Sequence, residues 1–472
     1  MADETMKRWT VERFGGVDRD TDATNCRLAG GVLRRAAGAS TLDTPSAQGE
    51  CTALMSFVRN DTAGREERWL LAAVNTQGAY DMLARYLPRD AADTGYPTER
   101  SWHSIRGTVA LTGGDYRHVN CESLFEPMVV LGNGVDPMYV WRGTGTLEML
   151  TPTAPSAPVG GLLAILMDRL WLAGVDGQPQ GVCYSEVLEP AGWTMGTNRA
   201  GYLKFLTWDG DTVRAIVPVQ TGLLVFKTHS VWRLTSGSPR LMQKLQANTP
   251  WGAEGAGCVC PWGLQVYYLC ADGLQRWEGD ESAPYLREEL AEFWMGIDQT
   301  RLGQARLIAH RGRLYAAVYG SVASTGRDTV LEVDLATGAA TVRRGLPPVG
   351  GWLAVGDRLL YPSGGAIHCL NEAEDTPAGP VALRWRRRGP SLPIGRVRVR
   401  QVTVRGSGGL CRVTVSADGQ ESAVTVTLPD TEGVAAAWLE ATGRLVDCTV
   451  ENVDGSDITV RQVTLGYEEV AD

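Results

Sequence analysis

The stretch Gly222-Leu-Leu-Val-Phe-Lys-Thr-His-Ser-Val-Trp-Arg-Leu234 holds two short apolar runs around a polar break. Its β-branched and aromatic residues show no helical period, and the break is short enough for a hairpin. The pattern recurs along the chain. Runs start at Trp69 (Trp-Leu-Leu-Ala-Ala-Val), Pro127 (Pro-Met-Val-Val-Leu), Arg169 (Arg-Leu-Trp-Leu-Ala) and Gly222. Others start at Gly263 (Gly-Leu-Gln-Val-Tyr-Tyr-Leu), Arg313 (Arg-Leu-Tyr-Ala-Ala-Val) and Arg358 (Arg-Leu-Leu-Tyr-Pro). The steps between starts are 58, 42, 53, 41, 50 and 45 residues, close to the period of propeller repeats. A following strand is visible in Ala271-Asp-Gly-Leu-Gln-Arg-Trp and Ser363-Gly-Gly-Ala-Ile-His-Cys. Asp-Gly and Gly-Gly suit tight hairpins, because those turns need positive φ.

A four-stranded unit of this size cannot bury both faces alone, whereas units stacked around an axis can. The repeat therefore predicts an all-β chain containing a β-propeller of seven blades. A string of β-sandwiches is the alternative, and the absence of linkers between repeats speaks against it. Composition agrees: 56 Gly and 23 Pro among 472 residues, with 15 Trp and only 6 Phe, favour turns over long helices. One helix is expected over Pro284–Met295, where Leu286, Leu290 and Phe293 have helical spacing.

The flanks depart from the repeat. Residues 1–45 contain Gly15-Gly-Val-Asp and Ala29-Gly-Gly-Val-Leu-Arg-Arg and read as an extended arm or a partial first blade. Residues 46–375 are assigned to the propeller. Glu374-Asp-Thr-Pro-Ala-Gly-Pro reads as a linker. Clean period-two alternations follow, including Val397-Arg-Val-Arg-Gln-Val-Thr-Val and Ala423-Val-Thr-Val-Thr-Leu, so residues 380–472 are assigned to a β-sandwich.

Little of the sequence points to chemistry. The net charge is −9, which disfavours a uniformly basic nucleic-acid binder. Only Lys7, Lys204, Lys227 and Lys244 are lysines; the excess of Arg reads as codon composition. The start of the chain is polar, and its longest apolar run, Leu162–Met167, is far short of the roughly 20 residues that span a bilayer. Neither a signal peptide nor a membrane anchor is expected, and synthesis in a cytoplasm is. The ten cysteines lack a disulfide framework and are expected to be free and mostly buried; Cys258-Val-Cys260 with Cys270 has no nearby His for zinc. None of the five histidines, His103, His118, His229, His310 and His368, lies in a metal or triad motif. Asp18-Arg-Asp-Thr-Asp starts like a calcium loop, yet Ala23 and Ala29 stand where that loop needs Gly and a bidentate Glu. Ser185 to Trp193 is a degenerate and single sialidase-type turn, and Trp208-Asp209 is a lone pair, not a WD repeat. No enzyme activity, cofactor or metal is expected. The remaining feature is basic: Arg384, Arg386, Arg387, Arg388, Arg396, Arg398 and Arg400. Guanidinium groups on strand faces can hold partner carboxylates or phosphates. A protein interface is the leading reading, ahead of a solvated face and of nucleic acid.

The segment from Asp168-Arg-Leu-Trp-Leu-Ala-Gly through Tyr184-Ser-Glu, Pro190-Ala-Gly-Trp and Gly210-Asp-Thr-Val-Arg-Ala-Ile to Cys270-Ala-Asp-Gly-Leu-Gln-Arg-Trp277 resembles the β-propeller tail hub, or nozzle, proteins of tailed phages, also called packaged-DNA stabilisation proteins. Gly15-Gly-Val-Asp with Ala29-Gly-Gly-Val-Leu-Arg-Arg is similar to their opening segment. The resemblance covers roughly residues 12–40 and 160–280, and elsewhere only the architecture. It implies a virion protein of the tail, assembled in the host cytoplasm as a ring of identical chains, hexameric in the family. The implied partners are the portal-adaptor above, a tail needle or fibre below, and packaged DNA that passes without sequence recognition. It implies no catalytic residues. An acidic chain suits passage, because dense Arg–phosphate contacts would brake the DNA.

Two other classes compete. One is a propeller that binds or cleaves polysaccharide, with the sandwich as a carbohydrate-binding module, acidic loop residues as acid and base, and exposed tryptophans stacking on sugars. The other is a scaffold propeller that binds peptides on one face. The missing secretion signal and absent repeated Asp boxes weigh against the first.

Overall fold

The strand Gly222–Lys227 pairs antiparallel with Val213–Val219 on one side and Val231–Thr235 on the other, and Lys244–Gln246 completes a sheet of four. In the computed structural model this meander occurs seven times. The structure describes residues 6–470 except 19, 46–48, 62–63, 91–92, 124–125, 152–154, 198, 236–241, 372–374, 378 and 390–395. Blades 1 to 6 occupy residues 50–104, 117–149, 162–204, 213–246, 259–284 and 306–343, and blade 7 is built on 353–370. All seven apolar runs are second strands of their blades. A second strand is paired on both edges and covered on both faces, which is why it reads as a nearly continuous apolar run.

The alternation within those runs closes the ring. Trp69, Leu71 and Ala73 pack toward blade 2, against Val129, Leu131 and Trp141, with the Trp69 and Trp141 rings 5.2 Å apart edge to face. Leu70, Ala72 and Val74, one residue out of phase, pack toward blade 7 against Leu360, Ile367 and Cys369. Blade 4 repeats the device: Leu223 and Val225 face blade 3, while Leu224 and Phe226 face blade 5. The remaining cores join blades 2 and 3, 5 and 6, and 6 and 7, so each blade is sandwiched between two others. The first strands lie nearest the axis and touch from blade to blade.

The arm does not start a first blade. Its strands β1 (Lys7–Val11), β2 (Thr21–Thr24), β3 (Cys26–Ala29) and β4 (Val32–Arg35) belong to the sandwich, and β5 (Ala39–Asp43) is the outermost strand of blade 7. The arm's share in the propeller is one strand: β5 pairs with Ala366–Leu370 from the far end of the propeller, fastening the ring. Where the arm passes between the two bodies, the backbones almost touch: a Cβ on Gly38 would lie 1.9 Å from the Asp375 carbonyl oxygen.

One sandwich sheet contains β1, β3 and β4 with Ile458–Val470, Arg396–Gly408 and Gly433–Gly443. The other runs β2, Arg384–Arg388, Val446–Asn452, Leu410–Ala417 and Gln420–Thr427. β2 also meets the outer strand of blade 6, parallel at Thr24 and Val342, so blade 6 and this sheet form one nine-stranded sheet. Blade 6 thereby loses the free edge that would otherwise invite pairing with another chain. The linker read at 374–380 lies partly outside the described residues. The helix also differs from expectation: Glu281–Pro284 completes blade 5, Leu286 has φ +54, and the helix covers only Ala291–Gly296. Strand pairing claims Pro284, the Tyr285 N–H still donates to Leu274 O, and the positive φ of Leu286 then breaks the helical pattern. Leu290 and Phe293 still pack into the core joining blades 5 and 6.

Candidate functional site

The seven predicted arginines fall on two separate surfaces. Arg384–Arg388 lies between β2 and Val446–Asn452, and Trp385 points into the core at 0% exposure. Side chains alternate along a strand, so Arg384, Arg386 and Arg388 share the opposite, outer face. That face is internally neutralised. Arg384 lies 3.3 Å from Glu451, Arg386 is 2.5 Å from Asp447, and Arg388 is 3.4 Å from Glu292. Arg387 lies on the Trp385 side, at a cleft also lined by Trp9 and Asp447, and makes no ion pair among the described residues. Arg396, Arg398 and Arg400 belong to the other sheet, alternating with buried Val397 and Val399. Arg398 is 3.6 Å from Glu440 and Arg400 3.3 Å from Glu468. Cross-strand pairs of this half-exposed kind are worth little each and leave no dense cationic patch.

The other motifs resolve into structure. Cys258 and Cys260 lie in the core between blades 5 and 6, whereas Cys270 faces blade 4, so one sheet separates them. All ten cysteines are free thiols. Asp18 Oδ1 accepts from Asp20 N at 2.8 Å, forming a turn before β2; Arg19 lies outside the described residues. Ser185 Oγ accepts from Leu170 N, and the Trp193 indole donates to the Pro190 carbonyl. Asp209, Asp211 and His229 do converge, next to fully exposed Trp208. Asp211 accepts from Thr228 N at 2.7 Å and His229 N at 2.9 Å, so its oxygens are committed to the turn. Below them buried Lys227 donates to Phe205 O and Thr207 Oγ1, which braces the connection from blade 3 to blade 4. No helix among the described residues is long and apolar enough to cross a membrane.

The arrangement that sequence reading missed is axial. Arg306 opens the first strand of blade 6, and Asp115 precedes the first strand of blade 2. These blades are not neighbours, yet Arg306 Nη2 lies 3.2 and 3.3 Å from the Asp115 oxygens, so the contact spans one mouth of the axis. Arg117 is 3.6 Å from the same carboxylate. Arg327 stands close enough for Arg306 and Asp115 both to act on it. Burial holds Arg117 and Arg327 below the usual guanidinium range; Arg306 pushes the same way, and Asp115 opposes it. At the opposite mouth a cavity of about 450 Å³ is lined by Glu66, Glu122 and Asp168 and also by Arg59 and Arg169. The axis thus gathers arginines at one end and charges of both signs at the other.

Between the mouths, His118 and Asn120 cap the inner edge of blade 1. Ser56 N donates to His118 Nε2 at 3.3 Å, and Val58 N to Asn120 Oδ1 at 3.3 Å. Burial pushes the His118 imidazole down to about 4. The unfolded chain protonates near pH 6.5 and the folded one near 4, so acidification through that window favours unfolding, and the loss levels off below it. Melting temperatures between pH 7 and 4 are expected to fall less steeply in His118→Gln, which keeps an acceptor without a proton site. The His118 share is about 3 kcal/mol at most, and parallel profiles for the two proteins would contradict it.

No family model matches the chain, and no curated protein matches it. Among solved structures it is similar to BamB from Moraxella catarrhalis, at 9% identity over 70% of this chain and 95% of that one, with a TM-score of 0.39. It is also similar to the Pan2 WD40 domain of Neurospora crassa, at 9% identity over 76% and 98%, TM-score 0.41. The Dos1 propeller aligns at 11% identity over 79% and 96%, TM-score 0.37.

Proposed function

We propose that the chain is a structural subunit of a tailed-phage virion: a homo-oligomeric tail hub or nozzle, a ring of six below the portal-adaptor. In this role it retains packaged DNA and extends the ejection channel, with a needle or fibre docking distally. The resemblance of residues 12–40 and 160–280 motivates the reading. The observation that carries it is mechanical. The arm puts four strands into the sandwich and a fifth into blade 7, and β2 fuses the sandwich to blade 6. Separating the two bodies would require breaking the β5 ladder in blade 7 together with the β2 contact to blade 6 at Thr24 and Val342, which suits a part loaded by packaged DNA. The Asp115–Arg306 bridge crosses the propeller's own axis, so in this reading DNA travels through the bore between subunits. A closed ring needs a heterologous interface whose rotation closes, and Arg387, unlike its paired neighbours, has charge to offer one.

Native mass spectrometry with negative-stain imaging of the full chain tests this. A closed ring with an axial hole wide enough for duplex DNA is expected, and Arg387→Glu is expected to weaken it at least tenfold while leaving the melting temperature within a few degrees. A chain that stays monomeric at all concentrations, or that binds or cleaves polysaccharide, overturns the reading.

A further inference from the structure

The geometry points to a phosphate-binding site at the basic mouth of the propeller axis, formed by Arg117, Arg306 and Arg327 and occupied by Asp115 as a tethered stand-in for the ligand. All three guanidinium groups donate to carbonyl oxygens, which fix direction without cancelling charge. Arg327 donates to Val349 O at 2.6 Å, Gln304 O at 3.1 Å and Gly350 O at 2.5 Å. Arg306 Nη1 donates to Gln304 O at 3.1 Å and Ala305 O at 3.3 Å. Arg117 donates to Gly161 O at 3.4 Å. Arg306 and Arg117 therefore meet one carboxylate, and Arg327 shares the Gln304 carbonyl with Arg306, so positive charge outweighs negative in the cluster.

Asp115 fits the place of a ligand better than that of a structural partner. Its side chain is 62% exposed while Arg306 is 20% exposed. Its contacts of 3.2 to 3.6 Å are longer than the 2.7–2.9 Å usual for a charge-assisted pair. The loop that delivers it is built for close approach: a Cβ on Gly113 would lie 2.6 Å from Asn133 Nδ2, and one on Gly114 2.8 Å from Thr52 Oγ1. A phosphate group offers more acceptor oxygens than a carboxylate and meets planar guanidinium forks well.

Isothermal titration of inorganic phosphate into the full chain at low ionic strength tests the site. Asp115→Asn, which keeps the size and removes the charge, is expected to bind phosphate about tenfold more tightly than the parent. Adding Arg306→Gln should remove that gain. Because the second change touches packed carbonyls, melting gives an independent readout: phosphate should raise the melting temperature of Asp115→Asn more than that of the parent. Competition by a 5′-phosphorylated tetranucleotide would identify a nucleic-acid end as the source of the phosphate, and its failure to compete would identify free phosphate. Equal affinity of parent and Asp115→Asn, a gain that survives Arg306→Gln, or equal competition by the unphosphorylated tetranucleotide overturns the proposal.

Discussion

Glu332→Ala is expected to lower the free energy of unfolding by about 3–5 kcal/mol, the usual cost of stranding one member of a buried ion pair. Glu332 and Arg343 are 2% and 1% exposed, and Arg343 Nη1 lies 2.9 Å from Glu332 Oε2. Arg343 also donates to Asn371 Oδ1 at 3.2 Å and to the carbonyl of Ala37, and Arg313 reaches Glu332 from the neighbouring strand. One guanidinium thus joins the outer strand of blade 6, the arm before β5 and the end of blade 7. Alanine leaves that charge in the interior with only neutral acceptors. Urea unfolding checks the size of the loss. The double variant Glu332→Leu with Arg343→Met is expected to recover most of it, because apolar replacement of both partners avoids the unpaired charge. A loss below about 1 kcal/mol in the single variant would show that water or local rearrangement compensates the charge.

Trp385→Ala is expected to cost a similar amount, about 3–5 kcal/mol, for a different reason. The indole is fully buried, meets the Phe14 ring edge to face at 4.6 Å, and donates to Gly15 O at 3.1 Å. It pins the arm between the sandwich sheets, so its removal leaves a cavity at the junction of both bodies. Trp385→Phe keeps much of the volume but leaves Gly15 O without its donor, with an expected loss of about 1–2 kcal/mol. Unfolding should remain one transition by fluorescence and by circular dichroism, since β2 shares a sheet with blade 6 and the sandwich. Two separated transitions would contradict that coupling.

The helix and the arginines show where sequence reading reached its limit. The helical spacing of Leu286, Leu290 and Phe293 was real, but the pairing of Gln275 with Pro284 finishes a blade and cannot coexist with helix at the same residues. The run Arg384–Arg388 looked like an unbalanced charge, because Asp447, Glu451 and Glu292 lie far along the chain. Only the register of Val446–Asn452 against Arg384–Arg388 places two of those carboxylates beside their arginines.

What the sequence by itself determined is the number and position of the blades. A central propeller strand is buried on both faces, so burial imposes a local, readable signal, and Leu70 and Leu71 encode two neighbouring cores within adjacent residues. Tertiary structure alone decided the rest. β5 finds its partner more than 300 residues away by ring closure, and Asp115 meets Arg306 across 191 positions. No local pattern specifies such contacts. They arise because seven twisted sheets packed face to face return the chain to its start, which brings distant strand ends to one axis.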